Sequence, residues 1–366
     1  MSVVLIGSNG FIGKNLKLKL QEEKINYFEV TKKTSLKKLK YYCLKAEVLV
    51  HAAGQNISKF KKDFNNNNIL ITDKICNLLK QLKKKPKIIY LSTTKINENS
   101  FYGLSKKKAE NILINFAKKN NSPLNILRLP NVYGKWCKPN YNSFVTTMFY
   151  NIPRGINFKK INLQNKINLI HIDTVINKIF SLIKKKSKKL ILDINAEKVL
   201  SIKDLLNKIN EIWYCHKNGY LYNYKTNFER TLYSSFLTYL PSKNFFRSIK
   251  KFEDKRGMFS ELLKNKNYGQ ISMFSINPGE TRGKHYHNIK NEKFIVLSGT
   301  IIFKMKSLND GKLILKKINE KNIGEIISVP GWSHEIKNSG KQKAIILLWS
   351  NEIYDNKNPD TYYKPI

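Results

Sequence analysis

Short apolar runs alternate with longer amphipathic stretches through the first half of the chain. The runs Val3–Gly7, Tyr27–Val30, Glu47–Ala52, Lys87–Ser92 and Leu124–Leu129 have the length and β-branched content of buried strands. The stretches near 11–22, 35–45, 66–83 and 103–119 have helical spacing of their apolar positions. Strand–helix alternation of this kind predicts an α/β, Rossmann-like domain, a parallel sheet covered on both faces. Residues 140–245 are less regular, with Leu169–Asp173 reading as a late strand. After about residue 245 the pattern changes. Gln270–Ile276, Lys293–Leu297, Thr300–Met305, Lys312–Lys317, Glu325–Val329 and Ala344–Trp349 are short β-rich runs separated by Gly, Asn and Pro turns, which predicts a small all-β barrel or jelly-roll sandwich. The expected organisation is therefore two domains, 1–245 and 246–366, joined near Pro241–Lys251.

A length of 366 residues and 41% hydrophobic composition suit two cored domains and argue against disorder. The net charge of +41 does not by itself point to nucleic acid. Arg, the residue that makes bidentate phosphate and base contacts, occurs only six times; the rest of the positive charge is Lys. Lys, Asn, Ile, Tyr and Phe are all abundant and all have AT-rich codons, so codon bias accounts for the basicity. A general positive field still favours an anionic ligand such as a nucleotide diphosphate. The four cysteines, at 43, 76, 137 and 215, form no CxxC pair. The first strand begins at residue 3 and no apolar run reaches membrane-spanning length, so a cytoplasmic protein with no membrane partner is expected. The Asn65–Asn68 run and the lysine clusters at 83–85 and 184–186 read as solvated helix faces and turns.

Two groups of residues in the front half carry chemistry. Gly7-Ser8-Asn9-Gly10-Phe11-Ile12-Gly13 follows the first strand and opens the first helix, where glycines admit a pyrophosphate and the helix N-terminus favours its charge. Its spacing is GxxGxxG rather than GxGxxG, and a plain tight turn is the alternative. His51-Ala52-Ala53-Gly54 ends another strand with small residues past which a cofactor can run. Tyr102 and Lys106, four apart, share one helix face; an ammonium beside a phenol favours the phenolate. Thr93 and Thr94 close the preceding strand, where a hydroxyl can hold a substrate oxygen.

In this order these features resemble the extended short-chain dehydrogenase/reductase family over roughly residues 1–240. The resemblance implies Tyr102 as the proton donor, Lys106 as the group that positions the nicotinamide ribose, and Thr94, or in the other register Thr93, as the substrate-oxygen contact. It implies a cofactor held by Gly7, Gly10, Phe11, Ile12, Gly13, Ala52, Ala53 and Gly54, with Asn68 matching the family's helix Asn. The second strand ends Glu29-Val30-Thr31-Lys32-Lys33; Lys32 or Lys33 beyond its tip suits a 2′-phosphate, so NADPH is expected over NADH.

In the rear half His285-x-His287, Glu292 and His334 make a compact N/O ligand set, and Pro330-Gly331-Trp332-Ser333 leads into the last of them. This resembles the two motifs of the cupin family and implies a divalent metal, zinc first among candidates. A metal-free epimerising cupin with a histidine base is the alternative. Asp254-Lys255-Arg256-Gly257, with Phe259 and Glu261, resembles the opening of the sugar-nucleotide epimerase branch, with Arg256 facing the nucleotide.

The segments Arg128–Ser143, Leu232–Pro241 and Asn291–Phe294 resemble the bifunctional capsular and O-antigen enzymes of UDP-N-acetyl-L-fucosamine synthesis, along essentially the whole chain. That resemblance implies a UDP-4-keto-6-deoxy-N-acetylhexosamine substrate, C3 epimerisation by the cupin, C4 reduction by the front domain, Asn131 near the substrate and a homodimer. A reductase with a non-catalytic cupin, and a deoxythymidine-linked rhamnose enzyme, are the competing readings.

Overall fold

The computed structural model describes residues 1–158, 162–185, 187 and 189–366; Lys186 of the second lysine cluster lies outside the described residues. The chain divides into two compact units. The first comprises Met1–Asn210 and Tyr224–Pro241; the second comprises Glu211–Asn223 and Ser242–Ile366. A single cut at 245 therefore misses one exchange. Glu211–Asn223, which continues the amphipathic pattern of the front half, belongs with the β-rich rear. There Tyr220 bridges to Lys264, and the Leu221 N–H donates to the Lys264 carbonyl at 2.7 Å.

The first unit is built on strands β1 (Ser2–Ile6), β2 (Asn26–Val30), β3 (Val48–His51), β4 (Lys87–Thr93) and β5 (Leu124–Leu129). A small second sheet holds β6 (Asn131–Tyr133), β7 (Lys166–His171) and β9 (Lys198–Ser201), while β8 (Ile191–Asp193) joins the first sheet. The main sheet has the order β2-β1-β3-β4-β5-β8, all parallel. Strands buried on both faces need apolar residues throughout, which is why these runs read as continuous rather than alternating. Val3, Leu5, Val50, Ile89 and Leu127 fill one face beside the helices Phe11–Glu22 and Ile172–Lys184; Val4, Ile6, Leu49, Ile88 and Ile126 fill the other. The order reverses between β1 and β3, and loops at the carboxyl ends of strands flanking such a switch form the natural ligand crevice.

Two details differ from the sequence reading. The expected helix 66–83 begins earlier, at Lys61, and contains a π-helical turn over Asn65–Leu70 before continuing as Ile71–Gln81. The wider turn rotates the last of the four asparagines inward: Asn65 and Asn66 are exposed as expected, but Asn68 is 1% exposed. The late strand ends at His171, and Ile172 and Asp173 already belong to the following helix, capped by His171 Nδ1 accepting from the Asp173 N–H.

The second unit is antiparallel. One sheet runs β10-β11-β12-β19-β14-β17, from Phe252–Asp254, Gly257–Asn265, Gly269–Ile276, Ala344–Ser350, Glu292–Ser298 and Glu325–Ser328 respectively. The other runs β16-β15-β18-β13-β20, from Leu313–Asn319, Thr300–Ser307, Trp332–Asn338, Thr281–Tyr286 and Tyr362–Tyr363. Phe274, Phe294, Val296, Ile301, Phe303, Ile336 and Ile346 meet between the sheets, each contributed by period-two alternation. This is the jelly-roll arrangement expected for the rear. Among the described residues no helix is long and apolar enough to cross a membrane.

Leu5 is fully buried at the centre of the parallel sheet. Leu5→Ala is expected to destabilise the first unit by about 2–5 kcal/mol, read as a lower denaturant midpoint with an unchanged slope.

Candidate active site

The crevice of the first unit starts with a backbone that admits no side chain. Gly7 leaves β1 at φ +89°, and a Cβ there would lie 2.7 Å from the Ala53 nitrogen. One at Gly13 would lie 2.2 Å from the Gly7 carbonyl. These contacts draw β1, the His51–Gly54 segment and the helix Phe11–Glu22 together. That helix opens at Gly10 with no side-chain cap and no acidic residue in its first turn. Its free N–H groups and the small residues Ala52, Ala53 and Gly54 fit the pyrophosphate of a dinucleotide. Lys32 is exposed just beyond β2. The one acidic residue near that strand's end, Glu29, is paired with Lys17 at 3.2 Å.

Ser100 caps the helix Phe101–Asn120 by accepting from the Gly103 N–H at 3.1 Å, which fixes where Tyr102 and Lys106 emerge. The Thr93 side chain is buried, and its hydroxyl accepts from the Lys95 N–H at 3.2 Å. β4 runs one residue longer than its apolar run, so Thr93 ends the strand. Thr94 begins a 3₁₀ turn and is exposed, its hydroxyl 3.5 Å from the Leu129 carbonyl. Burial raises Tyr102 above the ordinary tyrosine value, with the Thr93 hydroxyl acting against it. The lowering expected from Lys106 is not the dominant effect here.

Lys106 is buried, donates from Nζ to the Leu91 carbonyl at 2.6 Å and sits 4.1 Å over the Tyr90 ring. Burial lowers it to about 7, opposed by the Glu110 carboxylate. Glu110 in turn holds Arg128 through both oxygens, at 3.1 and 2.7 Å. Asn68, delivered by the π turn, donates to Ser105 Oγ at 2.8 Å and the Gln55 carbonyl at 2.9 Å, and accepts from the Gln55 N–H at 2.7 Å. It thereby ties the Gly54–Gln55 loop to the Tyr102 helix. Asn131 is exposed on β6, its amide donating to the Asn168 carbonyl at 3.2 Å.

In the second unit the four expected ligands converge. One ligand atom from each of His285, His287, Glu292 and His334 lies within 4.8 Å of all the others. A bulge at Gly283–His285, with Lys284 at φ +64°, re-aims the end of β13 so that His285 stands directly across from His334 on β18. His287 lies one residue past the strand. Glu292 opens β14, and its Oε2 is 3.3 Å from Nε2 of both His287 and His334. A tetrahedron of ligands on ~2.1 Å bonds has edges of about 3.4 Å.

The histidines are oriented from behind. His287 Nδ1 lies 2.6 Å from the Asp360 carbonyl, which can only accept, so Nδ1 carries the proton and the Nε2 lone pair faces the cluster. That Nε2 is buried with no hydrogen-bond partner. His334 Nδ1 is 2.9 Å from Ser328 Oγ. Burial, and then His334, push His285 down to about 3. Burial alone would raise Glu292; hydrogen bonding and positive charge from His287 and His334, when these are protonated, outweigh it and hold the carboxyl below its usual range. Three imidazoles and one carboxylate converging on one point are the donor set a divalent ion requires.

The cluster opens on a cavity of about 310 Å³ lined by Arg256, Arg282, Lys290 and Tyr354 among others. Arg256 and Arg282 share the Asp254 carboxylate at 2.6 and 3.4 Å. Thr93, Ser105, Tyr90, Arg282, Lys290 and Asp360 were not singled out for these roles by sequence. Only Thr93 carried a signal, as the other register.

Replacing His334 by Ala, or Glu292 by Gln, is expected to lower divalent metal per purified chain by at least half, measured by mass spectrometry. Unchanged metal content would exclude this cluster as the holder.

The NAD dependent epimerase/dehydratase family matches residues 3–195, and the polysaccharide biosynthesis C-terminal domain matches residues 252–362. A UDP-2-acetamido-2,6-beta-L-arabino-hexul-4-ose reductase of Pseudomonas aeruginosa is 34% identical over 99% of this chain and 98% of its own. The capsular polysaccharide assembling protein CapF from Staphylococcus aureus superposes with a TM-score of 0.91 at 31% identity, each chain covered in full. A CapF structure with the inhibitor 3-isopropenyl-tropolone gives 0.86 at 29%, again over both whole chains. With its dinucleotide crevice in front and its histidine-lined jelly roll behind, the chain belongs to the CapF-like family of capsular polysaccharide enzymes, within the NAD dependent epimerase/dehydratases.

Proposed function

We propose that this protein is a nucleotide-sugar 4-keto reductase of capsular polysaccharide synthesis. Its first unit reduces the C4 ketone of a UDP-linked 4-keto-6-deoxy-N-acetylhexosamine, and its second unit first inverts C3. The observation that carries the reading is Tyr102 one helical turn from buried Lys106, in a chain aligned end to end with a UDP-hexulose 4-reductase. Bound NADPH supplies the hydride for C4. The Thr93 and Tyr102 hydroxyls hold the ketone oxygen, and Tyr102 gives it a proton as negative charge develops there. A phenol kept protonated by burial suits a donor in the reductive direction. Lys106 holds the ribose side of the cofactor, and Lys32, exposed just beyond a strand whose Glu29 is paired with Lys17, suits a 2′-phosphate.

In the second unit the 4-ketone acidifies the C3 proton, so its removal and return on the other face inverts that carbon. His285, His287, Glu292 and His334 would hold the ion, read as zinc from its three nitrogens and one oxygen, and it would supply a Lewis acid at the cavity. Arg256 faces the diphosphate from the cavity wall. The ligands themselves are poor bases, because a coordinated lone pair cannot also take a proton.

Purified protein given the UDP-4-keto sugar and NADPH in deuterated water is expected to consume cofactor and place deuterium at C3, read by NMR of the product. Cofactor consumption without deuterium would leave a reductase with a binding cupin; no consumption would overturn the reading. Tyr102→Phe is expected to lower kcat by about 10²–10⁴-fold with cofactor affinity retained. Lys106 is cationic below about 7 and neutral above it, so kcat/KM for NADPH is expected to fall as pH rises through that value.

A further inference from the structure

Tyr90 stands on β4 with 1% of its surface exposed, and its hydroxyl has no hydrogen-bond partner. A phenol at such depth without a partner costs free energy that phenylalanine would not. Nothing in core packing requires it, since Tyr90 fills space among Ile88, Leu113 and Ile126 where any large ring serves. What the ring touches is charge. Lys106 Nζ lies 4.1 Å from its centroid, well inside cation–π range, and the His51 ring meets it edge-on at 5.2 Å.

The ammonium has few other supports. It donates to the Leu91 carbonyl. The groups around it are Glu110 on its own helix, which favours its charge and is itself taken up by Arg128, and His51 on β3. His51 is buried against Thr72, with Nε2 and the Thr72 hydroxyl 3.0 Å apart, and is pushed down to about 3 by burial and then by Lys106, so it is neutral. Tyr102, one turn earlier, is kept neutral by burial. A dry, singly accepted ammonium therefore rests on a tyrosine face.

We propose that Tyr90 is a positioning residue: its ring face holds the Lys106 ammonium charged and in place for the cofactor. This rests on the reading of Lys106 as a cofactor contact. It predicts that the electron density of the ring at 90, rather than its shape, sets NADPH affinity and the pH at which affinity is lost.

The test is NADPH binding to the full chain, followed by protein fluorescence across pH. Position 90 carries Tyr, Phe, or phenylalanines with one, two or five ring fluorines introduced site-specifically; Tyr90→Met removes the ring face at similar volume, and Lys106→Met is the control. Increasing fluorination is expected to weaken affinity stepwise, reaching about 3- to 30-fold for the pentafluoro ring, and to move the alkaline loss of binding to lower pH. Tyr90→Phe keeps an equivalent ring face and is expected to retain parental affinity and midpoint. Affinity and midpoint that stay flat across the fluorinated series, in variants that melt like the parent, would overturn the proposal. Should Lys106→Met bind NADPH with parental affinity and pH dependence, the cofactor role of Lys106 fails, and the proposal with it. A flat series with a sensitive Lys106→Met overturns the role of Tyr90 alone.

Discussion

The closeness of Gly7 to Ala53 governs the first unit. With no room for even a methyl group between them, β1 and the His51–Gly54 segment are locked side by side at the point where strand order reverses. Gly13 then closes on the Gly7 carbonyl, so the helix begins immediately, without a residue to cap it. An uncapped helix end facing a crevice between two strands favours an anion by its geometry alone. The Tyr102 helix is tied to the same place from the far side, through Asn68 and the Gln55 backbone. The glycine loop and the Tyr102 helix are therefore parts of one packed object.

Much of this was legible in the sequence because the signals are short-range. A glycine loop between a strand and a helix, Tyr and Lys four apart, and two histidines two apart are patterns within a single turn or strand. The parallel order followed from uninterrupted apolar runs, and the antiparallel rear from short alternating ones. The errors fall where one residue of register matters. Ser92 looked like the end of β4 because the apolar run stops there, yet main-chain pairing with Leu129 carries the strand through Thr93. Four consecutive asparagines have poor helix propensity and no apolar period, so nothing announced the π turn that buries the last of them.

What the sequence could not disclose is the support behind the functional groups. Glu110 with Arg128, Tyr90 under Lys106, Ser328 behind His334 and Asp360 behind His287 bring together residues from separate elements. Their residue types are ordinary, and in a chain so rich in Lys, Asn and Tyr no one of them stands out. The exchange of Glu211–Asn223 into the second unit is of the same kind: an amphipathic helix shows that it buries a face, not against which partner.

The Asp360 clasp bears on how the rear unit would acquire an ion. One residue accepts from His287 Nδ1 through its carbonyl and from the main chain of Asn288, Ile289 and Lys290 through its carboxylate. His285 and His287 are neighbours in sequence, but His334 and Asp360 reach them only after β18 and β20 have paired with β13. An extended chain offers an ion little more than a pair of freely rotating imidazoles. The complete ligand set thus exists only at the end of a search through long-range contacts, the slow part of folding an antiparallel sandwich. An ion with so strong a preference for the finished arrangement would act as a thermodynamic latch, drawing the second unit toward its native pairing more strongly as its free concentration rises.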